Sequence, residues 1–279
     1  MNLFEFINRR STRLQERWRQ RKSQWSVDVV IPCIEKDLAV LGWAVHGVRS
    51  RLRHPISQIW VIGPDRPAIR KAVVDLQCQW VDENRVTGFA KEDLDYFPGG
   101  LDRRGWLFQQ FLKLHADSVG SAPYILLLDA DTVFTQPVSF ECEGKLTVHS
   151  ETSLHEPYLE SLSRLLPDLS RPTVSYVCNY CFLPRVTLGE LRSHLGGDHF
   201  RETILSSLAE GALSGFSEYE LIGNWLVQKT GGCLVCPSGN LGVSQAAWSR
   251  AWFRLAMSWL VRSVSMHEYN EPRRSLEEA

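Results

Sequence analysis

The amino-acid sequence predicts an α/β fold: a largely parallel sheet flanked by helices, in a single domain with an N-terminal helical extension. Two patterns carry that expectation. Strand-like and helix-like segments alternate from Val27 to Val81, the order that right-handed crossovers between parallel strands produce. Tyr124-Ile-Leu-Leu-Leu128 is apolar without alternation, as a central strand covered on both faces must be.

The elements follow in order. Val27-Asp-Val-Val-Ile-Pro32 is a buried strand stopped by a proline, and 38–52 reads as a helix. Residues 58–63 form a second strand closed by Gly-Pro, 67–76 a helix and 79–81 a third strand. The helix expected over 104–116 has an apolar stripe of Leu107, Phe108, Phe111, Leu112 and His115. Its other stripe is Trp106, Gln109, Gln110 and Lys113, a composition that suits a polar ligand better than open solvent. Beyond the 124–128 strand, the pattern predicts strands near 145–149 and over 173–183 and helices near 158–166, 187–195, 199–213 and 217–228. Short strands around 233–243 and a helix near 246–260 complete it, with no internal repeat.

Composition bounds the function. The chain has 279 residues, 44% of them hydrophobic, enough for one substantial core, and ten Trp with twelve Phe exclude disorder. Net charge is −1, which gives no case for nucleic acid. Residues 1–25 hold Arg9, Arg10, Arg13, Arg17, Arg19, Arg21 and Lys22 against Glu5 and Glu16, so this segment is +5 and the remainder −6. With Leu3, Phe4, Ile7, Leu14 and Trp18 near one face, it reads as a basic amphipathic helix suited to peripheral contact with an anionic membrane. The boundary is placed between 1–25 and the domain at 26–279. There is no secretory h-region and no apolar run long enough to span a bilayer. Seven cysteines in such a chain are expected to be reduced thiols of a cytoplasmic protein. Two Cys-x-x-Cys pairs, Cys178/Cys181 and Cys233/Cys236, raise a zinc site as an alternative. The first pair falls in a segment read as a strand, where residues three apart face opposite ways, so core cysteines are preferred.

Asp129-Ala-Asp131 carries the chemistry. Ligands of open α/β sheets collect beyond the carboxyl ends of strands, where these acids lie. Two carboxylates so close repel unless a cation joins them, and a divalent ion completed by substrate phosphates meets that need.

Leu126-Leu-Leu-Asp-Ala-Asp-Thr-Val-Phe134 resembles the Asp-x-Asp strand of GT-A glycosyltransferases. Gly105-Trp-Leu-Phe-Gln-Gln-Phe-Leu-Lys-Leu114 and Ser217-Glu-Tyr-Glu-Leu-Ile-Gly-Asn224 resemble motifs of a bacterial branch of that superfamily. The resemblance spans about residues 27–270 and implies a Rossmann-like mixed sheet. It implies a nucleotide-diphosphate sugar donor, most simply a UDP-sugar, and a glycan or glycolipid acceptor, with a place in surface polysaccharide synthesis. Mn²⁺ or Mg²⁺ would be held by Asp131, Asp129 and His267. Trp106, Gln109, Gln110, Lys113, Arg104 and Arg273 would contact the donor, together with Asp129 at the ribose.

Ser217 is an expected N-cap, and Glu218 and Glu220 open its helix, either as helix-start acids or as carboxylates serving the acceptor. His155 and Glu156 are further acceptor-side candidates. Three other readings compete. A haloacid-dehalogenase-type phosphatase would carry its first Asp on the first strand with acidic ligands downstream. A nucleotidyltransferase would show a Gly-rich loop where Ile31-Pro-Cys-Ile-Glu35 stands. A non-catalytic glycan-binding relative would not need the paired acids.

Overall fold

The computed structural model describes residues 21–266. A five-stranded sheet has the order β3-β2-β1-β4-β8, built from β1 (Val27–Pro32), β2 (Ile56–Gly63), β3 (Gln79–Asp82), β4 (Tyr124–Leu128) and β8 (Tyr180–Pro184). The first four run parallel, and β8 pairs antiparallel with β4, Leu126 opposite Phe182. The mixed sheet expected from the sequence is therefore present. Ile125 to Leu128 are fully buried, each side chain contributing about 2 kcal/mol.

Helices cover the sheet. They are α1 (Leu38–Arg51), α2 (Pro67–Asp75), α3 (Glu83–Thr87), α4 (Arg104–Leu114), α5 (Glu156–Leu165), α6 (Val186–His194), α7 (Phe200–Ser207), α8 (Glu218–Thr230), α9 (Gln245–Trp248) and α10 (Ala251–Leu260). Two small sheets flank the main one. In the first, β11 (Ser263–Ser265) lies between β10 (Asn240–Gly242) and β5 (Thr132–Phe134). In the second, β7 (Lys145–Ser150) lies between β6 (Glu141–Cys142) and β9 (Leu234–Pro237). A smaller core of Val40, Val133, Val243, Trp248, Met257, Val261, Val264 and Met266 joins the C-terminal elements to β5 and α1.

Several expectations are corrected. Arg21 to Trp25 are not helical. Ser23 N donates to Arg53 O at 2.8 Å, and Trp25 stacks on Tyr124 at 4.6 Å, so both residues pack on the sheet domain. The strand expected over 173–183 starts only at Tyr180, because Asn179 takes a left-handed conformation (φ 63°) that breaks the extended run. Cys178 thus lies outside the strand. It and Cys181 are buried, and burial pushes both thiols up, as suits core cysteines. The helix of 199–213 ends at Ser207, and 246–260 is two helices separated by extended Arg250. Strand β11 falls in a stretch where no strand was expected, and its pairing with β10 on one side and β5 on the other makes it one. Residues 1–20 and the sequence-predicted His267 and Arg273 lie outside the described residues.

Candidate active site

The site forms where β4 ends. Asp129 follows Leu128 directly, and its N–H donates to Asn179 O at 3.0 Å. The neighbouring β8 thus fixes the turn that carries both aspartates. Thr132 N donates to Asp129 O at 3.0 Å, closing that turn. Asp131 is held from the far side of the chain: Met266 N donates to Asp131 O at 3.0 Å, at the end of β11. Thr132 Oγ1 donates to Asp131 Oδ1 at 3.3 Å and lies 2.9 Å from Ser265 Oγ. The described chain therefore reaches the Asp131 backbone one residue before His267.

Lys113 organises the centre. Its ammonium bonds to Asp129 Oδ1 and, at 2.7 Å, to Glu218 Oε1, and it sits 4.3 Å over the Tyr219 ring. Its side chain is 4% exposed. Burial works against its charge, but the two carboxylates outweigh burial and hold it above the ordinary lysine value. Tyr219 Oη donates to the same Asp129 Oδ1 at 2.9 Å. The Asp129 carboxyl is pushed up to about 6 by burial and by the charges of Asp131 and Glu218, with Lys113 opposing. The Tyr219 phenol is raised by burial and by Asp129 and Glu218.

Glu218 and Glu220 take different partners, as two residues opening one helix do. Gln110 Oε1 accepts from Glu218 N at 3.1 Å, using one of the helix-start N–H groups, while Ser217 Oγ caps Glu220 N at 3.3 Å. The Glu220 carboxylate accepts from Ser175 Oγ at 2.5 Å, Tyr176 N at 3.1 Å and Asn224 Nδ2 at 3.3 Å. Burial raises it, while these three donors lower it. It ties α8 to the loop preceding β8. This close approach needs Gly223, where a Cβ would fall 2.3 Å from the Tyr176 ring.

The other expected residues divide. Gln110 and Lys113 are buried inside the site, while Gln109 is half-buried. Trp106 stacks on Tyr96 at 6.0 Å beneath the Arg103 guanidinium. Arg104 is paired with Asp102 at 2.8 Å and lies over Phe97. His155 and Glu156 are exposed at the start of α5. His155 packs on Tyr158, and Glu156 is clasped by Arg171 at 2.6 Å. Sequence reasoning missed three residues. Tyr219 stood inside the Ser-Glu-Tyr-Glu motif but was passed over for its acids. Asn179 gives no sequence signal for its left-handed turn. The Tyr158 phenol is pushed up to about 12 by burial and by the nearby Glu218 charge.

A family described as a family of unknown function (DUF6492) matches residues 53–234. The chain belongs to that family. No curated protein matches it. Among solved structures, an active-site mutant of LgtC is 13% identical with a TM-score of 0.52, covering 88% of this chain and 91% of that one. The galactosyltransferase LgtC, solved with donor and acceptor sugar analogs, is 10% identical with a TM-score of 0.50, covering 86% of each chain. The bifunctional glycosyltransferase WbbM is 12% identical with a TM-score of 0.50, and the match spans 90% of this chain and 47% of WbbM. At these identities the likeness is one of fold. This member of the family has the GT-A glycosyltransferase fold.

Proposed function

We propose that the chain is a divalent-cation-dependent glycosyltransferase, moving a sugar from a nucleotide-diphosphate donor, most simply a UDP-sugar, to a hydroxyl of a glycan or glycolipid. The observation that carries this reading is the junction at the end of β4. There Asp129, bonded to Lys113 and Tyr219, lies two residues from Asp131, whose backbone is held by β11. The GT-A fold supports it, since ligands of open α/β sheets gather at that edge.

The donor set suits a hard cation. Asp129 and Asp131 offer carboxylate oxygens, and such ions are held by one or two carboxylates plus substrate phosphates. Asp131 would be the main ligand, because Asp129 Oδ1 already serves Lys113 and Tyr219. Bound there, a divalent ion offsets the charge that develops on the departing diphosphate. Lys113 bridges the carboxylates of Asp129 and Glu218 and so fixes the start of α8 against β4. Glu218 and Glu220 are positioning residues in this arrangement, since their carboxylates are committed to Lys113 and to the 175–176 loop. The acceptor proton then passes to the leaving phosphate. A place on the cytoplasmic side, in surface polysaccharide assembly, belongs to the same proposal.

The test is a nucleotide-sugar panel with the full chain, following free nucleoside diphosphate. Release that needs Mn²⁺ or Mg²⁺, stops with EDTA and is lost in Asp131→Asn supports the reading. Release unaffected by both changes overturns it.

A further inference from the structure

Helix α10 is apolar on two sides. Phe253, Ala256, Met257 and Leu260, at the i, i+3, i+4, i+7 spacing of one face, pack into the smaller core. Trp252, Leu255 and Trp259 form an adjoining strip and are 65%, 65% and 73% exposed. Large apolar side chains grouped this way on a surface mark a contact.

Charge indicates what is contacted. From Leu221 to His267 the sequence has no Asp or Glu, while it has Lys229, Arg250, Arg254 and Arg262. Arg250 is exposed at the start of α10. Arg254 lies one turn on, over the partly exposed Trp43 ring at 4.8 Å. Indoles settle at the headgroup level of a bilayer, arginines favour its anionic lipids, and an acid-free segment meets no repulsion there.

We propose that α10 docks the chain on an anionic lipid bilayer, with Trp252, Leu255 and Trp259 entering the boundary between headgroups and acyl chains. No helix among the described residues is long and apolar enough to cross a membrane, so this contact is interfacial. The helix leads through Arg262 into β11, which pairs with β5 and ends at the Met266–Asp131 hydrogen bond. Strand β11 thus connects this helix to the Asp131 backbone. Resting on the transferase reading, the consequence is that the acceptor is carried on a lipid and meets Asp131 at the bilayer surface.

The experiment uses the full chain with vesicles of phosphatidylcholine and phosphatidylglycerol. Co-sedimentation is expected in low salt and weakens in high salt. Trp252→Glu with Leu255→Glu should weaken it about tenfold or more, and Trp252→Ser with Leu255→Ser should weaken it too, separating lost apolar contact from added charge. Arg250→Glu should weaken it less. Binding by the double variants equal to the parent's overturns the proposal, as does equal binding to pure phosphatidylcholine. A dimer of the parent that these variants dissociate, without vesicle binding, assigns the strip to a second copy and also overturns it. Nucleoside diphosphate release with soluble acceptors should be unchanged in the variants. Loss of vesicle binding with release intact therefore concerns docking alone, and absent release with binding intact concerns the transferase reading alone.

Discussion

Lys113 Nζ lies 2.7 Å from Glu218 Oε1, joining two helices whose residues are 105 apart in sequence, and the same ammonium bonds to Asp129. One buried cation thus serves two buried carboxylates. Removing one member of such a group leaves uncompensated charge in a low-dielectric setting, which costs far more than an exposed pair does. Lys113→Met keeps the length and loses the charge, and it should cost about 3–5 kcal/mol in urea denaturation. Adding Glu218→Gln should restore part of that loss. A Lys113→Met chain as stable as the parent would show that the ion pairs do not hold α8.

Asp131 should behave in the opposite way. It is half-exposed, and its backbone oxygen takes the bond from Met266, just beyond β11. Asp131→Asn should therefore leave the unfolding midpoint nearly unchanged while lowering sugar-nucleotide turnover by about a hundredfold or more. It should also abolish the thermal stabilisation that Mn²⁺ and UDP together give the parent. A variant that keeps that stabilisation would remove Asp131 as a ligand.

These two residues show what could be read from sequence. The unbroken apolar run of β4 announces a central strand, and its abrupt end at Asp129 announces a site, because both are local patterns. The second stripe of α4 reads from sequence either as facing a polar ligand or as partly buried against a neighbour, and Gln110 and Lys113 are buried against the start of α8. Nothing local shows that Gln110 and Lys113 meet a helix start more than a hundred residues away. The reading of 173–183 as a strand failed at one torsion, the left-handed Asn179, which apolar spacing does not encode. Likewise Glu220 read as a candidate for chemistry because its bonds to Ser175 and Tyr176 exist only after folding.

His54 gives the fold a defined acid limit. Phe140 N donates to His54 Nε2 at 2.9 Å, so Nδ1 carries the proton toward Trp25 O at 3.2 Å and the buried ring is neutral. Burial lowers its pKa to about 4, with the Trp25 carbonyl and Glu141 opposing. The unfolded chain takes up the proton near pH 6.5 while the folded one does not. This group's contribution is therefore complete above pH 6.5 and is lost as pH falls towards 4, by up to about 3 kcal/mol. Urea denaturation at pH 7.5 and 4.5 should show the loss, and His54→Gln should flatten that part of the profile. An unchanged slope in the variant would place the titration elsewhere.

Gly223 tests whether the α8–Tyr176 contact matters to the site. In most helices Gly to Ala is stabilising by about 1 kcal/mol. Here the new Cβ would lie 2.3 Å from Tyr176 Cγ and 2.4 Å from its Cβ, at the rigid root of a buried side chain. Overpacking of that kind costs about 1–3 kcal/mol and should win, since the ring root cannot swing away as a side-chain tip can. Tyr176 N also donates to Glu220, so the displacement should loosen the start of α8 and shift the neighbouring Glu218 from Lys113. Gly223→Ala is thus expected to lower both stability and turnover, and Tyr176→Gly in the same chain, which removes the ring and the Cβ together, to recover turnover by making room. If Gly223→Ala alone is more stable than the parent, helix propensity has won and the contact is looser than these distances indicate.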